Sequence, residues 1–152
     1  KEYGTKIVAA ESSDEAIEDA DLIITVTPSS KPVFDGSKVK KGATVSCVGS
    51  YQHHMQEMDP VILTRASKIY FDSVEAVLSE AGDILIPLEN GTITKDDFTG
   101  DLGEVILGNV VGRENDDEII VFKTVGIGTQ DLITAKYIYD KAIEQGIGTK
   151  WS

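Results

Sequence analysis

Short apolar runs alternate with segments of helical periodicity along this chain. The apolar runs have the length of buried strands, and most of them end at glycine, proline or a hydroxylated residue. Strands and helices in alternation are typical of an α/β domain with a largely parallel sheet. The pattern therefore predicts an α/β fold, with a mostly parallel sheet flanked by helices. The predicted strands are residues 6–10, 22–27, 44–48, 68–71 and 119–123.

Capping and stop signals predict the helices between these strands. Ser12 and the acids after it open a helix that runs through Asp19, and Pro60 occupies a first helical position. Gly82 and Gly146 are helix stops. The predicted helices are residues 13–19, 60–65, 74–80, 104–107 and 131–145.

The remaining segments show little periodicity. Residues 81–103 are rich in glycine and are predicted to be irregular, with a short strand near Thr92. Residues 116–118 are acidic and predict a solvated turn. No internal repeat or linker composition divides the chain, so the prediction is a single domain.

The ends of the predicted strands carry glycine, proline and hydroxylated residues, at positions 25–29, 48–51, 72–73 and 123–126. Ligands of open parallel sheets bind beyond the carboxyl ends of the strands. Glycine lets a ligand approach the backbone, and hydroxyl groups supply hydrogen bonds. Ordinary turns would explain the same residues. No G-x-G-x-x-G sequence follows a strand, so the usual cradle for a pyrophosphate is missing from these residues.

Composition narrows the class of partner. The 152 residues carry a net charge of −12, which argues against nucleic acid and anionic membranes as partners because both are polyanions. The single cysteine, Cys47, excludes an intrachain disulfide and favours a reducing, cytoplasmic compartment. No apolar run has the length of a membrane helix. Because the chain opens at Lys1 without a start methionine, we expect it to be a fragment of a longer protein.

Six strings in the same order resemble the ornithine cyclodeaminase/mu-crystallin family. Any one string alone is weak, but together they cover nearly the whole chain. They lie at residues 20–29 (ADLIITVTPS), 48–59 (VGSY followed by EMD), 80–83 (EAGD), 102–105 (LGEV), 121–126 (VFKTVG) and 135–139 (AKYIY).

The resemblance implies the carboxyl-terminal part of a Rossmann domain that binds NAD or NADP, incomplete in this chain. It implies that Thr27 faces the adenosine side of the cofactor and that residues 48–50 (Val48, Gly49 and Ser50) line the nicotinamide. Thr124 would bind the cofactor near its carboxamide, and Val125 would lie beside the substrate. The family further implies a missing amino-terminal domain toward which residues 128–152 would pack, and a homodimer when the protein is full length.

Tyr51 departs from the family pattern. Cyclodeaminases and archaeal alanine dehydrogenases of the family carry a catalytic aspartate at this position, and cyclodeaminases carry a lysine where this chain has Met55. A tyrosine cannot replace a carboxylate as a general base near neutral pH, since its reference pKa is about 10. The resemblance therefore favours an imine or ketimine reductase, or an amino-acid dehydrogenase. Ornithine cyclodeaminase and a non-catalytic, crystallin-like binding protein are the alternatives.

Two residues are candidates for catalysis. Glu80 falls where mu-crystallin-like members place a carboxylate toward the ligand, and it would orient or protonate an imine. Its position at the end of a predicted helix opposes the helix dipole, although a solvated surface carboxylate would look the same. Tyr51 would donate its phenolic proton or stack on a ligand, or else lie half-buried in a loop. His53 and His54 lack further ligands at metal-binding spacing, so no metal site is predicted.

Overall fold

The computed structural model describes residues 4–149 and 151, and a five-stranded parallel sheet lies at its centre. Its strand order is β1-β2-β5-β3-β4, so the last strand of the chain lies in the middle of the sheet. The predicted α/β class with a mostly parallel sheet and flanking helices is confirmed. The strands are β1 Leu22–Thr25, β2 Thr44–Cys47, β3 Lys68–Phe71, β4 Gly100–Asp101 and β5 Ile120–Lys123.

Helix ends follow the capping residues in the sequence. Asp59 accepts a hydrogen bond from the Val61 N–H, and Ser73 accepts one from the Ala76 N–H, so the two predicted helices that they open are confirmed. Gly146, at φ 64°, ends the last helix as predicted. The helices are α1 Ser13–Ile17, α2 Pro60–Arg65, α3 Val74–Glu80, α4 Gly82–Glu89, α5 Leu102–Ile106 and α6 Gly128–Gln145, with 3₁₀ turns at Gly36–Lys38 and Lys95–Asp97.

The core lies on the sheet face that α1 to α4 cover. Val121 of β5 lies opposite Val45 of β2 and Ile69 of β3, and all three side chains are buried. The helices add further buried apolar residues, which are Ile17, Ile62, Leu63, Val77 and Ile84. This packing fixes the register of the central strands, because a slip of one residue would turn every core side chain to the opposite face.

The predicted strand at residues 6–10 is wrong. The segment is irregular, and Ile7 is 83% exposed. An apolar run becomes a strand only where a neighbouring strand supplies main-chain hydrogen bonds, and none pairs with this segment among the described residues. The helix predicted to run through Asp19 ends at Ile17, because the backbone leaves the helical region at Glu18 (ψ 122°) and Asp19 then adopts a positive φ of 55°.

The prediction of irregular structure across residues 81–103 is also wrong. Gly82 begins α4 immediately after α3 instead of stopping a helix. The strand predicted near Thr92 is absent, because the N–H groups of Thr92 and Ile93 both donate to the Pro87 carbonyl at the end of α4. Those two donors are therefore unavailable to a sheet.

Candidate functional site

The carboxyl ends of β1, β2, β3 and β5 meet at one edge of the sheet. The parallel register places Thr25, Cys47, Lys123 and Phe71 side by side. The hydrogen-bonded ladder extends one residue beyond these strands. The Val48 N–H donates to the Thr25 carbonyl at 2.9 Å, the Thr124 N–H to the Cys47 carbonyl at 3.2 Å and the Asp72 N–H to the Lys123 carbonyl at 3.3 Å. The predicted site segments after these strands therefore lie together.

Glu57 joins the ends of β1 and β2. Its buried carboxylate accepts hydrogen bonds from the Thr27 N–H at 2.7 Å, the Thr27 hydroxyl at 2.9 Å and the Gly49 N–H at 2.7 Å. The backbones also touch here, because a Cβ at Gly49 would lie 2.1 Å from the Thr27 nitrogen. Only glycine fits at position 49, and Glu57 holds two predicted cofactor-binding residues in one arrangement.

Asp72 performs the equivalent role after β5. One carboxylate oxygen accepts hydrogen bonds from the Thr124 hydroxyl, from the Val125 N–H at 3.1 Å and from the Gly126 N–H at 2.8 Å. The other oxygen accepts from the Ser73 N–H at 2.8 Å. A carboxylate that satisfies four donors fixes the loop that carries Thr124 and Val125.

A buried ion pair lies in the core next to this edge. Lys123 and Asp83 are fully buried, and the lysine Nζ lies 3.2 Å from an Asp83 carboxylate oxygen. Neither of these two atoms has a hydrogen-bond partner among the described residues, whereas the second Asp83 oxygen accepts a hydrogen bond from the Met58 N–H at 2.9 Å. Burial raises the pKa of Asp83, and the charge of Lys123 opposes that rise.

Cys47 lies beside this pair on β2, and its side chain is fully buried. Burial raises the pKa of its thiol to about 12, so it stays protonated and behaves as a small apolar residue. Cys47 is therefore part of the hydrophobic core.

Residues 50–57 form a loop that packs against the junction of α3 and α4. A Cβ at Gly82 would lie 2.2 Å from the Met55 carbonyl oxygen and 2.5 Å from that of His53. The His53 ring adds a hydrogen bond of 2.7 Å to the Ser79 carbonyl. The loop that carries Tyr51 and the end of α3 that carries Glu80 are therefore neighbouring segments.

The side chains within this loop differ in what they offer a ligand. Ser50 is buried and donates to the Met55 carbonyl at 2.9 Å, so it faces inward. Tyr51 is 49% exposed and Glu80 is exposed, and no hydrogen bond joins their side chains to other described residues. Helix α4 begins two residues after Glu80. The charge of the Glu80 carboxylate therefore lies near the positive end of the α4 dipole as well as near the negative end of the α3 dipole.

The sequence reasoning missed the residues that hold the site together. Glu57 and Asp83 were only parts of matching strings, and Asp72 and Lys123 were named only among the residues at the strand ends. Glu57 lies 30 residues from Thr27, and Asp72 lies 52 residues from Thr124. The available signals were acidic residues within two matching strings, for Glu57 and Asp83, and an acidic residue directly after a predicted strand, for Asp72.

Metal-binding clusters and membrane-spanning helices are both absent from residues 4–149 and 151. No group of three or more His, Cys, Asp or Glu side chains lies close enough to hold a metal ion. None of the helices in this part of the chain has the length and apolar character needed to cross a bilayer.

An open parallel sheet whose strand ends are gathered at one edge, with glycine and threonine in the loops, defines a Rossmann-like α/β domain. Residues 1–146 match the sequence pattern of the ornithine cyclodeaminase/mu-crystallin family. The chain belongs to this family, and the resemblance noted in the sequence is confirmed.

The relatives include several reductases. The chain is 40% identical over 150 residues to a Delta(1)-pyrroline-2-carboxylate reductase of Bacillus cereus, a match that covers 99% of this chain and 46% of the relative. The Thermococcus litoralis Delta(1)-pyrroline-2-carboxylate reductase, solved with NADH and L-proline, is 39% identical with a TM-score of 0.87 over 93% of this chain and 44% of that one.

An archaeal alanine dehydrogenase dimer with bound NAD is 34% identical, with a TM-score of 0.83 over 95% of this chain and 44% of that one. This chain thus spans less than half the length of each of these relatives.

Proposed function

We propose that the protein containing this chain is an NAD(P)-dependent oxidoreductase that reduces a cyclic imine such as Delta(1)-pyrroline-2-carboxylate. The observation that carries the proposal is the 40% identity to such a reductase across 99% of the chain. The site geometry supports it, because hydrogen bonds to Glu57 and Asp72 hold the strand ends together where a dinucleotide would bind.

The residues at this edge fit the nicotinamide end of a dinucleotide. Val48 is 37% exposed and Val125 is partly exposed, so both offer apolar surface to a flat ring, and Thr124 offers a hydroxyl beside them. Gly49 allows close approach to the backbone, whereas Ser50 would contribute through its main chain because its side chain faces inward. Thr27 would contact the adenosine side. When bound, the reduced dinucleotide supplies the hydride.

The chain's own part in the reaction is to orient the imine and deliver a proton to its nitrogen. Val125 would contact the substrate, and Glu80 or Tyr51 would hold that proton, at a carboxyl oxygen or at the phenolic oxygen. Both side chains are exposed on neighbouring segments, which suits residues at the rim of a site that another domain completes.

Residues 128–152 are proposed to pack against an amino-terminal domain. Residues 150 and 152 of this segment lie outside the described residues. Helix α6 has no buried residue, although an 18-residue helix in a globular protein normally buries one face. Its exposed apolar side chains are Leu132, Ile133, Tyr137, Ile138, Tyr139 and Ile143.

The proposal extends to assembly and compartment. The archaeal alanine dehydrogenase relative is a dimer, so we propose a homodimer for the full-length protein. A single cysteine, buried in the core, is consistent with a cytoplasmic enzyme.

The test uses the full-length polypeptide that carries this chain. We expect oxidation of NADH or NADPH that depends on the cyclic imine, with proline as the product. Release of ammonia from ornithine without net change in the dinucleotide would instead assign a cyclodeaminase. Binding of the dinucleotide without turnover of either substrate would assign a binding protein.

A further inference from the structure

The hydroxyl groups of Thr27 and Thr124 share one feature, which is that each donates its proton to a carboxylate within the domain. The Thr27 hydroxyl lies 2.9 Å from Glu57, and the Thr124 hydroxyl is hydrogen-bonded to Asp72. The direction of these bonds decides what each threonine can offer to a ligand.

The direction follows from the other partners of the two carboxylates. The Asp72 oxygen that contacts Thr124 also accepts from the N–H groups of Val125 and Gly126. Glu57 accepts from the N–H groups of Thr27 and Gly49. An ionised carboxylate has only acceptor lone pairs, so the proton in each threonine–carboxylate bond belongs to the threonine.

A hydroxyl group has one proton and two acceptor lone pairs. Because the proton is committed, the oxygen can only accept further hydrogen bonds. The Gly126 N–H donates to the Thr124 hydroxyl oxygen at 3.1 Å and occupies one lone pair of that oxygen. One lone pair of the Thr124 oxygen therefore remains for a ligand. Thr27 and Thr124 are both partly exposed, so these oxygens can meet a ligand.

We propose that Thr27 and Thr124 act as acceptor-only groups and select hydrogen-bond donors on the ligand, with Glu57 and Asp72 as the positioning residues that set this polarity. Thr124 then recognises the amide NH₂ of a carboxamide and not its carbonyl oxygen. Thr27 recognises a sugar hydroxyl and not a phosphate oxygen. The inference rests on the proposed function, because it assumes that the dinucleotide lies against these residues.

The test compares two ligands that differ in one hydrogen-bond donor. The reduced form of 3-acetylpyridine adenine dinucleotide has a methyl group where NADH has the amide NH₂, and it keeps the carbonyl oxygen. Dissociation constants of both are measured by calorimetry on the full-length polypeptide. We expect about tenfold weaker binding of the analogue, the factor that corresponds to about 1.4 kcal/mol for one hydrogen bond.

Variants at position 124 assign the discrimination to this hydroxyl. Thr124→Val keeps the shape and removes the oxygen, so the affinity ratio of NADH to the analogue falls toward one. Thr124→Ser keeps the hydroxyl and the ratio. A thermal unfolding transition of each variant serves as the control that the variant is folded. The affinity ratio of the wild-type protein tests the inference even if a variant does not fold.

Equal affinity of the wild-type protein for both ligands overturns the inference, as does a ratio that Thr124→Val leaves unchanged. Failure to bind either dinucleotide has a different meaning, because it overturns the proposed function itself and this inference with it.

Discussion

Glu57 and Asp72 show how a few buried carboxylates organise the ends of parallel strands. Backbone N–H groups beyond the last ladder bond have no strand partner, and an unpaired buried donor is costly. Glu57 accepts from two such donors and Asp72 from three. The loops are therefore ordered before any ligand arrives, which lowers the entropic cost of binding.

Replacement of Gly49 by alanine tests the close contact between the β1 and β2 loops. The new Cβ would lie 2.1 Å from the Thr27 nitrogen, so the backbones must separate. We expect a loss of about 1–3 kcal/mol in the free energy of unfolding. Gly103→Ala in α5 is the control, because a Cβ there meets nothing within 4 Å. Urea denaturation of both variants measures the difference, and equal stability would contradict the described contact.

Replacement of Glu57 by glutamine tests the carboxylate itself. Glutamine has the same shape but turns one acceptor into an NH₂ donor, which must face the N–H of Gly49 or the donors of Thr27. We expect a loss of about 1–3 kcal/mol in stability and weaker dinucleotide binding. Glu89→Gln, at an exposed position, is the control. Unfolding curves that match for the two variants would show that Glu57 does not hold the loops.

At the residue scale, the sequence located the loops but not what fixes them. Thr27 ends one predicted strand, and Gly49 and Thr124 directly follow two others, so the local pattern was enough to place them at the edge of the sheet. Their partnership with Glu57 and Asp72 spans up to 52 residues, and a pattern of neighbours contains no information on such contacts. The roles of Glu80 and Tyr51 stay predictions.

At the scale of elements, local signals predicted those helices whose caps lie in the adjacent sequence. Asp59 with Pro60, and Ser73, marked α2 and α3 correctly. Helix α4 was missed because it starts at Gly82, where the contact with the carbonyls of residues 52–55 excludes a side chain. The two-residue strand β4 was missed because it pairs only with the end of β3.

The amino ends of β3 and β5 are joined by an ion pair that gives a pH-dependent contribution to stability. Hydrogen bonds from the Glu114 N–H and from Lys68 lower the pKa of the Glu118 carboxyl below its usual value of 4.5. A lowered pKa in the folded state means that this contribution is present above pH 4.5 and is lost as the pH falls through the folded-state value.

We therefore expect the free energy of unfolding of Glu118→Gln to fall less steeply with decreasing pH below 4.5 than that of the wild-type protein. Urea denaturation as a function of pH measures it, with Glu11→Gln as the control because the Glu11 side chain makes no hydrogen bond or ion pair among the described residues. An acid limb of unchanged slope in Glu118→Gln would show that the interaction contributes nothing.

At the scale of the whole molecule, the sheet and core were predictable and the exposed apolar surface was not. Composition and periodicity determine that a helix at α6 has an apolar face, but they do not show what covers it. Leu132 is 71% exposed in this structure, and the chain spans 46% of its Bacillus cereus relative. A domain from the rest of the protein is the proposed partner of this face.

Paired substitution of Leu132 and Tyr139 by glutamine tests that partner. In the 152-residue chain we expect a change within about 0.5 kcal/mol, because both side chains are exposed. In the full-length polypeptide we expect a clear loss of stability, since the substitution removes buried apolar contacts. Thr134→Gln, which lies on the opposite face of α6, is the control. Equal effects in the two forms would mean that α6 does not pack against another domain.

Hydride transfer from a reduced dinucleotide to an imine carbon is the activity on which the assignment depends. With the full-length polypeptide, Delta(1)-pyrroline-2-carboxylate and NADH or NADPH deuterated at the transferred position, we expect proline with deuterium at its α-carbon, detected by mass spectrometry. Absence of labelled proline with either dinucleotide would contradict an imine reductase.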